Sequence, residues 1–449
     1  AESNATVHVA LGAHVANADW AVPSAATVLA DPGASLTMNG AVTGAGSLLV
    51  TGGGTLALTN GPAVDVPVTV SGATLAMPQS TEFGASFTVG SGGTVFAPAA
   101  GCTVTVSSAV AGPGGLTKTG SSVLSLAGGT TFGGELAVRN GTVAMSREPG
   151  ETLVLGEGTF RYTGESASFA RGYTVRTTAA TQAATLFSDA DLTFNGPVTA
   201  ESGAFIKLGG GTFTYAGAGE NILSAGDNIG SGGACLNVQP YGDTPTQGYR
   251  SYNIYNGKVV LGAEGQTNRF SQAVVIGGES TTNADAETAG HLVIDGGVNL
   301  FQDYITIGRG NGTAVTAPTG LVSTLTVNGG ETTATGFWMA AMLGDETTLT
   351  ARPLFTMNAG TLRTPLFRCG NVGGLPKPRI VVNGGTLVVG PNEAFRLAYS
   401  AGCESELTIS GGQVVLTNQT LCLADNVTGA KGTLNLDGLN GGAIDLGAY

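Results

Sequence analysis

Short apolar strands, each followed by a glycine corner, recur along the whole chain. The segments 44–77 and 112–145 align without a gap, and their glycines and apolar residues fall at the same positions. A looser third copy covers 203–261. Each copy contains the pattern Gly-Thr-apolar-any-apolar, in which alternate side chains point to one face of a strand. A single unit of this size cannot bury its apolar face alone, so the units must stack.

The C-terminal part of the chain repeats at a shorter interval. Strands that end in Asn-Gly, Asp-Gly or a similar turn begin at residues 292, 325, 355, 380, 407 and 434. Such intervals are typical of solenoids, whereas the rival propeller fold needs four antiparallel strands per blade. Every turn of a solenoid runs in the same direction as the last, so strands of successive coils pair in parallel. The sequence therefore predicts an all-β fold, a parallel β-helix (β-solenoid) forming a single elongated rod.

The core of such a fold must be built mostly from small and β-branched side chains. Glycine supplies 74 of the 449 residues, while aromatic residues make up only 6%. The strand pattern predicts side chains that point inward and stack on the next coil at Leu56, Leu124, Val143, Leu325, Val327, Leu387 and Leu407.

The two kinds of repeat divide the chain into two parts that are expected to be continuous. Residues 1–262 carry the longer repeats, and residues 263–449 carry the glycine-turn repeats. The third long repeat is interrupted by a tyrosine-rich insertion at 221–255. We expect this insertion to leave the solenoid as a loop.

Charge and hydropathy exclude several classes of partner. With 18 basic and 31 acidic residues, the net charge is −13, so the chain lacks the basic field on which nucleic-acid binding relies. No apolar run is long enough to form a transmembrane helix. The sequence therefore predicts neither a nucleic-acid partner nor a transmembrane segment.

One stretch of the long repeat resembles a known family. It reads Gly-Pro-Gly-Gly-Leu-Thr-Lys-Thr-Gly at 112–120, Leu-Ser-Leu at 124–126 and Val-Arg-Asn-Gly-Thr-Val at 138–143. This pattern is similar to the autotransporter-associated β-strand repeat of bacterial passenger domains and large secreted surface proteins. The resemblance implies a right-handed parallel β-helix that is displayed outside the cell, either secreted or on the bacterial surface.

Catalytic chemistry has few candidates in this sequence. Carboxylates two residues apart, as at Asp189 and Asp191 or at Glu404 and Glu406, share one face of a strand, and glycoside hydrolysis requires such a pair. The competing interpretation is solvated charge on the outer face. No zinc, serine-nucleophile or phosphate-loop motif is present. We therefore predict no catalytic residue, no metal site and no cofactor.

The insertion at 221–255 contains the candidate binding residues. Tyr241, Tyr249, Arg250, Tyr252 and Tyr255 lie close together in the sequence. A tyrosine offers a flat apolar face and a hydroxyl, the combination that binding surfaces favour. The competing interpretation is that these rings fasten the loop against the flank of the solenoid.

These observations favour a non-enzymatic, extracellular or cell-surface β-solenoid with a structural, adhesive or self-assembling role. Its expected partners are further copies of the chain, stacked end to end into a filament, or surface glycans and proteins. The alternative is a carbohydrate-active β-helix, a lyase or hydrolase, with a site assembled across coils. The sequence leaves open the disulfide state of its cysteines, which are Cys102, Cys235, Cys369, Cys403 and Cys422.

Overall fold

The computed structural model consists of β-strands, turns and connections. It contains no α-helix in the residues that it describes. Those residues are 5–60, 63–178, 183–224, 251–254, 256–278, 289–310, 322–342, 352–370, 377–399, 401–424, 428–438 and 441–445.

The chain forms two compact units. Unit 1 comprises Ala1–Ala167 with Ala184–Phe187, and unit 2 comprises Ser168–Ala183 with Ser188–Tyr449. The change in repeat type predicts a division of the chain after residue 262. That division describes the repeat pattern and stays a prediction. The short strands β23 (Ala167–Phe169) and β25 (Ala183–Ser188) contain residues of both units.

Unit 1 is built from parallel columns of strands, in which each strand pairs with its equivalent one coil away. The first column contains β1 (Ala5–Val9), β4 (Ala25–Ala30), β7 (Ser47–Thr51), β9 (Val68–Ser71), β12 (Phe87–Val89), β15 (Val110–Gly112) and β18 (Thr130–Phe132). The second column contains β2 (Ala13–Ala16), β5 (Ser35–Met38), β8 (Thr55–Leu58), β10 (Ala73–Ala76), β13 (Thr94–Phe96), β16 (Leu116–Lys118), β19 (Glu135–Val138) and β21 (Thr152–Leu155). The third column contains β11 (Thr81–Phe83), β14 (Thr103–Val106), β17 (Val123–Leu126), β20 (Thr142–Met145) and β22 (Thr159–Tyr162), and β3 (Trp20–Ala21) pairs separately with β6 (Val42–Thr43).

Unit 2 has the same arrangement of parallel columns. The first column contains β26 (Leu192–Phe194), β29 (Thr212–Tyr215), β32 (Gly257–Leu261), β35 (Gly290–Ile294), β37 (Val322–Val327), β39 (Arg352–Met357), β42 (Arg379–Val382), β45 (Glu404–Ile409) and β48 (Lys431–Leu436). The second contains β24 (Tyr173–Arg176), β27 (Thr199–Ser202), β30 (Gly219–Ser224), β33 (Gln266–Phe270), β40 (Thr361–Thr364), β43 (Thr386–Val389), β46 (Gln413–Leu416) and β49 (Ala443–Asp445). The third contains β28 (Ala204–Leu208), β31 (Ser251–Ile254), β34 (Ala273–Gly278), β41 (Phe367–Cys369), β44 (Phe395–Arg396) and β47 (Leu421–Cys422). Two longer strands, β36 (Val298–Gly310) and β38 (Glu331–Met342), extend through both the second and the third column.

This architecture confirms the parallel β-helix. All the side chains that the strand pattern predicted to face inward are buried. Their register is also as expected, because Leu124 lies between Val104 and Val143 of the adjacent coils, and Leu325 pairs with Phe355. The handedness of the coil and the single-rod shape stay predictions.

Glycine is required at the corners because successive coils approach closely there. Gly141 has a φ of 66°, and a Cβ atom at this position would lie 2.3 Å from the carbonyl oxygen of Ser122. A side chain would therefore be both strained and in steric conflict with the backbone of the preceding coil.

Outside the core of unit 2, a polar ladder runs along the corner after the first-column strands. Each amide donates to the side chain of the preceding coil: Asn328 to Asp295 (2.8 Å), Asn358 to Asn328 (2.8 Å) and Asn383 to Asn358 (2.9 Å). The hydroxyl of Ser410 then donates to Asn383 at 2.9 Å. The turn residue that follows each of these strands therefore links consecutive coils through a side-chain hydrogen bond.

A second ladder lies inside the core of unit 2. The side chain of Asn221 donates to that of Asn268 at 3.0 Å, and Asn268 donates to Asn299 at 2.9 Å. Gln266 donates to the carbonyl oxygens of Tyr215 and Gly217 at 3.0 and 2.8 Å. All these amides are buried, so each must find its partners within the protein.

Two lysines are buried at equivalent positions of the long repeat. The ammonium of Lys118 donates to the carbonyl oxygens of Thr119 and Gly120, both at 2.7 Å. Lys207 donates to Gly209 and lies 4.7 Å from the centre of the Phe213 ring. Burial lowers the pKa of Lys118 to about 8 and that of Lys207 to about 7, the latter despite the opposing charges of nearby aspartates.

Stability is therefore expected to rise with pH. Because folding lowers the pKa of Lys207 from 10.5 to about 7, the folded chain binds fewer protons than the unfolded chain between these values. Between about pH 7 and about pH 9.5, the contribution of Lys207 to the free energy of unfolding should increase by roughly 2–3 kcal/mol, and Lys118, with a pKa of about 8, adds a smaller increase. Urea titrations at several pH values measure this slope. Lys207→Met should reduce this slope to the part that Lys118 contributes, and the exposed Lys258→Met should leave the slope unchanged. Equal slopes for wild type and Lys207→Met would contradict the assignment.

Candidate functional site

The structure corrects the prediction for Tyr252. This residue lies on strand β31, only 1% of its surface is exposed, and its hydroxyl is 2.7 Å from that of Tyr215. The hydroxyl of Tyr215 is in turn 2.6 Å from that of Tyr173, and burial raises the pKa of all three phenols well above the usual value. A ring in this position is part of the core and cannot meet a ligand at the surface.

The other candidates lie elsewhere. Tyr241, Tyr249, Arg250 and Tyr255 fall outside the described residues. The ends of the expected insertion belong to the solenoid, since 221–224 lie on β30 and 251–254 on β31. The alternation of Tyr252 with Ile254 is the apolar-any-apolar triplet of the repeat, and this signal identifies the ring as a core residue.

The two carboxylate pairs have structural partners. Asp189 accepts a hydrogen bond from the backbone N–H of Gly210 at 3.0 Å, and Asp191 accepts one from that of Thr212 at 2.6 Å. Each aspartate therefore links its coil to the next. Glu404 pairs with Lys377 at 2.5 Å. A hydrogen bond from Lys377 and the charges of Lys377 and Lys431 lower the pKa of Glu404, which keeps this carboxyl ionised.

A set of aromatic and cationic side chains lies on the outer face of the third column in unit 2. We call it the aromatic–arginine ladder, and it consists of Tyr304, Trp338, Arg368, Glu393, Arg396 and Tyr399. Strand alternation places its members, because Trp338 lies between the buried Phe337 and Met339. Trp338 pairs with Arg368 in register, and Arg368 pairs with Arg396.

Stacking and charge hold the ladder together. The guanidinium of Arg368 lies 5.5 Å from the ring centre of Trp338 and 5.0 Å from that of Tyr399. The Nε of Arg368 also donates to Glu393 at 3.0 Å. Arg396 lies 5.3 Å from the Tyr399 ring. Tyr304 meets the Trp338 ring edge-on, with the ring centres 5.3 Å apart.

This arrangement suits recognition. Tyrosine, tryptophan and arginine are the residue types that carry most binding energy at interfaces. A stacked guanidinium keeps its N–H edge available for hydrogen bonds. The indole N–H of Trp338 is buried and the guanidinium of Arg368 donates to Glu393, so the ladder presents mainly ring faces and positive charge.

Sequence reasoning missed this surface because its residues are far apart in the chain. Trp338, Arg368 and Arg396 recur at intervals of about one coil, which is the signal that could have found them. A search for outward positions one coil apart would have grouped them.

Neither a membrane-spanning helix nor a metal-binding cluster occurs in the described ranges. No helix in these ranges is long and apolar enough to cross a membrane. The same ranges contain no group of three or more His, Cys, Asp or Glu side chains placed to hold a metal ion.

Comparison with known proteins gives no assignment. No family model, no curated protein and no solved structure matches the chain. The kinship with autotransporter-associated repeats, self-association end to end and the extracellular location accordingly stay predictions.

Proposed function

We propose that the chain is a non-enzymatic, extracellular β-solenoid that adheres to surface glycans or proteins through the aromatic–arginine ladder. The observation that carries the proposal is the grouping of Trp338, Arg368 and Tyr399 on one outer face. In a chain with only two tryptophans and 6% aromatic residues, such a grouping is unusual. The resemblance of the long repeat to secreted surface proteins supports the location.

The partners of the carboxylate pairs support a non-enzymatic role. Asp189 and Asp191 are engaged with backbone N–H groups, and Glu404 with a lysine. A hydrolase or lyase acting through these carboxylates would need at least one of them free to approach a substrate.

Binding assays on immobilised protein test the adhesive role. The wild-type chain should bind a subset of a panel of extracellular glycans and surface proteins. Trp338→Ala and Arg368→Ala should each weaken that binding about tenfold or more, because both remove contact residues at the centre of the ladder. Trp20→Ala, at the other tryptophan, and Arg269→Ala, at an arginine paired with Glu220, are the matched controls.

The results of these assays distinguish an adhesive role from a carbohydrate-active one. Unchanged affinity of both ladder variants, with far-ultraviolet spectra like that of the wild type, would reject the ladder as the contact surface. Release of products from a polysaccharide panel, abolished by Asp189→Asn or Glu404→Gln, would instead favour the carbohydrate-active alternative.

A further inference from the structure

A second surface of unit 2 forms a groove across the beginnings of the first-column strands. It encloses about 430 Å³ and crosses β37, β39, β42, β45 and β48. Charged side chains line it at Arg352, Lys377, Arg379, Glu404, Glu406 and Lys431. Its apolar floor is formed by Val322 and Leu354, which point outward and are half-buried.

The charge in this groove is opposite to that of the chain. The groove holds four cations and two carboxylates, whereas the whole chain has 18 basic and 31 acidic residues. Glu404 pairs with Lys377, and Glu406 pairs with Arg379 at 3.4 Å. Glu406 also accepts a hydrogen bond from Asn435 at 2.7 Å. The cations in excess of these pairs are Arg352 and Lys431, on the coils at either side.

The spacing of the cations sets the charge density of a fitting partner. Successive strands lie about 4.8 Å apart, so the coils of Arg352 and Lys431, three steps apart, are separated by about 14 Å. Double-stranded DNA carries one negative charge per roughly 1.7 Å, which is far denser, and the net charge of −13 would repel it. A partner that carries separate negative charges about 14 Å apart, and whose overall charge density is lower, matches better.

The apolar floor of the groove places a second requirement on the ligand, which must have an apolar face. Val322 and Leu354 offer an apolar strip, against which the C–H face of a sugar ring can be removed from water. Cationic walls above such a strip suit a ring that carries a carboxylate at its edge. An acidic peptide offers the charge but no flat apolar face.

From these features we infer that the groove binds a linear acidic polysaccharide, with uronate carboxylates held by Arg352 and Lys431 and sugar rings lying on Val322 and Leu354. This site is separate from the aromatic–arginine ladder, so it does not depend on the adhesive role proposed above. Lys377 and Arg379 are already engaged by the groove's own carboxylates, which therefore compete with the ligand.

Titration calorimetry with a uronic-acid hexasaccharide tests the inference. The wild-type chain should bind this probe and not a neutral glucose hexasaccharide. Arg352→Gln and Lys431→Gln should each weaken binding about tenfold, and each should reduce the salt dependence of log K by about one ion. Both side chains are exposed, so the variants should fold normally.

A variant that is expected to strengthen binding adds a second test. Glu404→Gln removes a competing carboxylate and frees Lys377, so it should tighten binding of the hexasaccharide several-fold. Arg269→Gln, which lies outside both the groove and the aromatic–arginine ladder, should have no effect on hexasaccharide binding. Absence of binding at physiological salt, unchanged affinity in the groove variants, or equal or tighter binding of a glutamate hexapeptide or an oligonucleotide would each overturn the inference.

Discussion

Leu124→Asp should abolish cooperative folding of unit 1. Leu124 is fully buried and stacks between Val104 and Val143 of the neighbouring coils. An unpaired carboxylate at this position costs several kcal/mol, a large part of the ~5–15 kcal/mol that stabilises a typical domain. In a solenoid the damage extends to the neighbours, because each coil is stabilised by the next. Urea unfolding followed by circular dichroism measures the loss.

The adjacent residue supplies the control for this substitution. Ser125 lies on the same strand, points outward and is half-buried. Ser125→Asp places the same charge one position along the strand but in contact with water, so its midpoint should stay close to that of the wild type. A wild-type midpoint for Leu124→Asp would contradict the inward orientation of this strand.

Asn268→Ala should destabilise unit 2 by about 3–5 kcal/mol. The substitution removes the centre of the inner ladder, which leaves the amide N–H of Asn221 and the carbonyl oxygen of Asn299 without their partner. It also leaves a cavity in the core. Unsatisfied buried amides are costly because no water reaches them.

The outer ladder offers a matched comparison. Asn358 makes the same kind of amide-to-amide contacts, with Asn328 and Asn383, but is exposed. Water replaces the lost partners there, so Asn358→Ala should cost about 1 kcal/mol or less. Denaturant midpoints of the two variants give the difference, and equal effects would show that burial does not set the strength of these ladders.

The fold could be predicted because its signals are local. The alternation of Leu325 with Val327 and the glycine that follows at position 330 are sufficient to define a strand and its corner. Stacking then follows from the repeat length. Such information is contained within a few consecutive residues of every coil.

The polar interior was not predicted, because its explanation lies one coil away. Lys118 and Asn268 occupy inward positions that normally hold apolar residues. The carbonyl oxygens and amides that satisfy them come from corners and from other coils, and no local pattern shows which residues will meet. The same separation along the chain hid Trp338 and Arg368, since their contact depends on register between strands.

A chain whose backbone hydrogen bonds run from coil to coil responds to force differently along and across its strands. In unit 2, the N–H groups of Asn328, Asn358 and Asn383 each donate to the preceding coil, all at 2.7 Å. A force applied in the direction of stacking acts on the backbone hydrogen bonds of one end coil at a time, so these bonds break in sequence. A pull along the strands shears all the bonds of a coil together. Unit 2 should therefore peel in steps of one coil under the first kind of tension and resist the second more strongly.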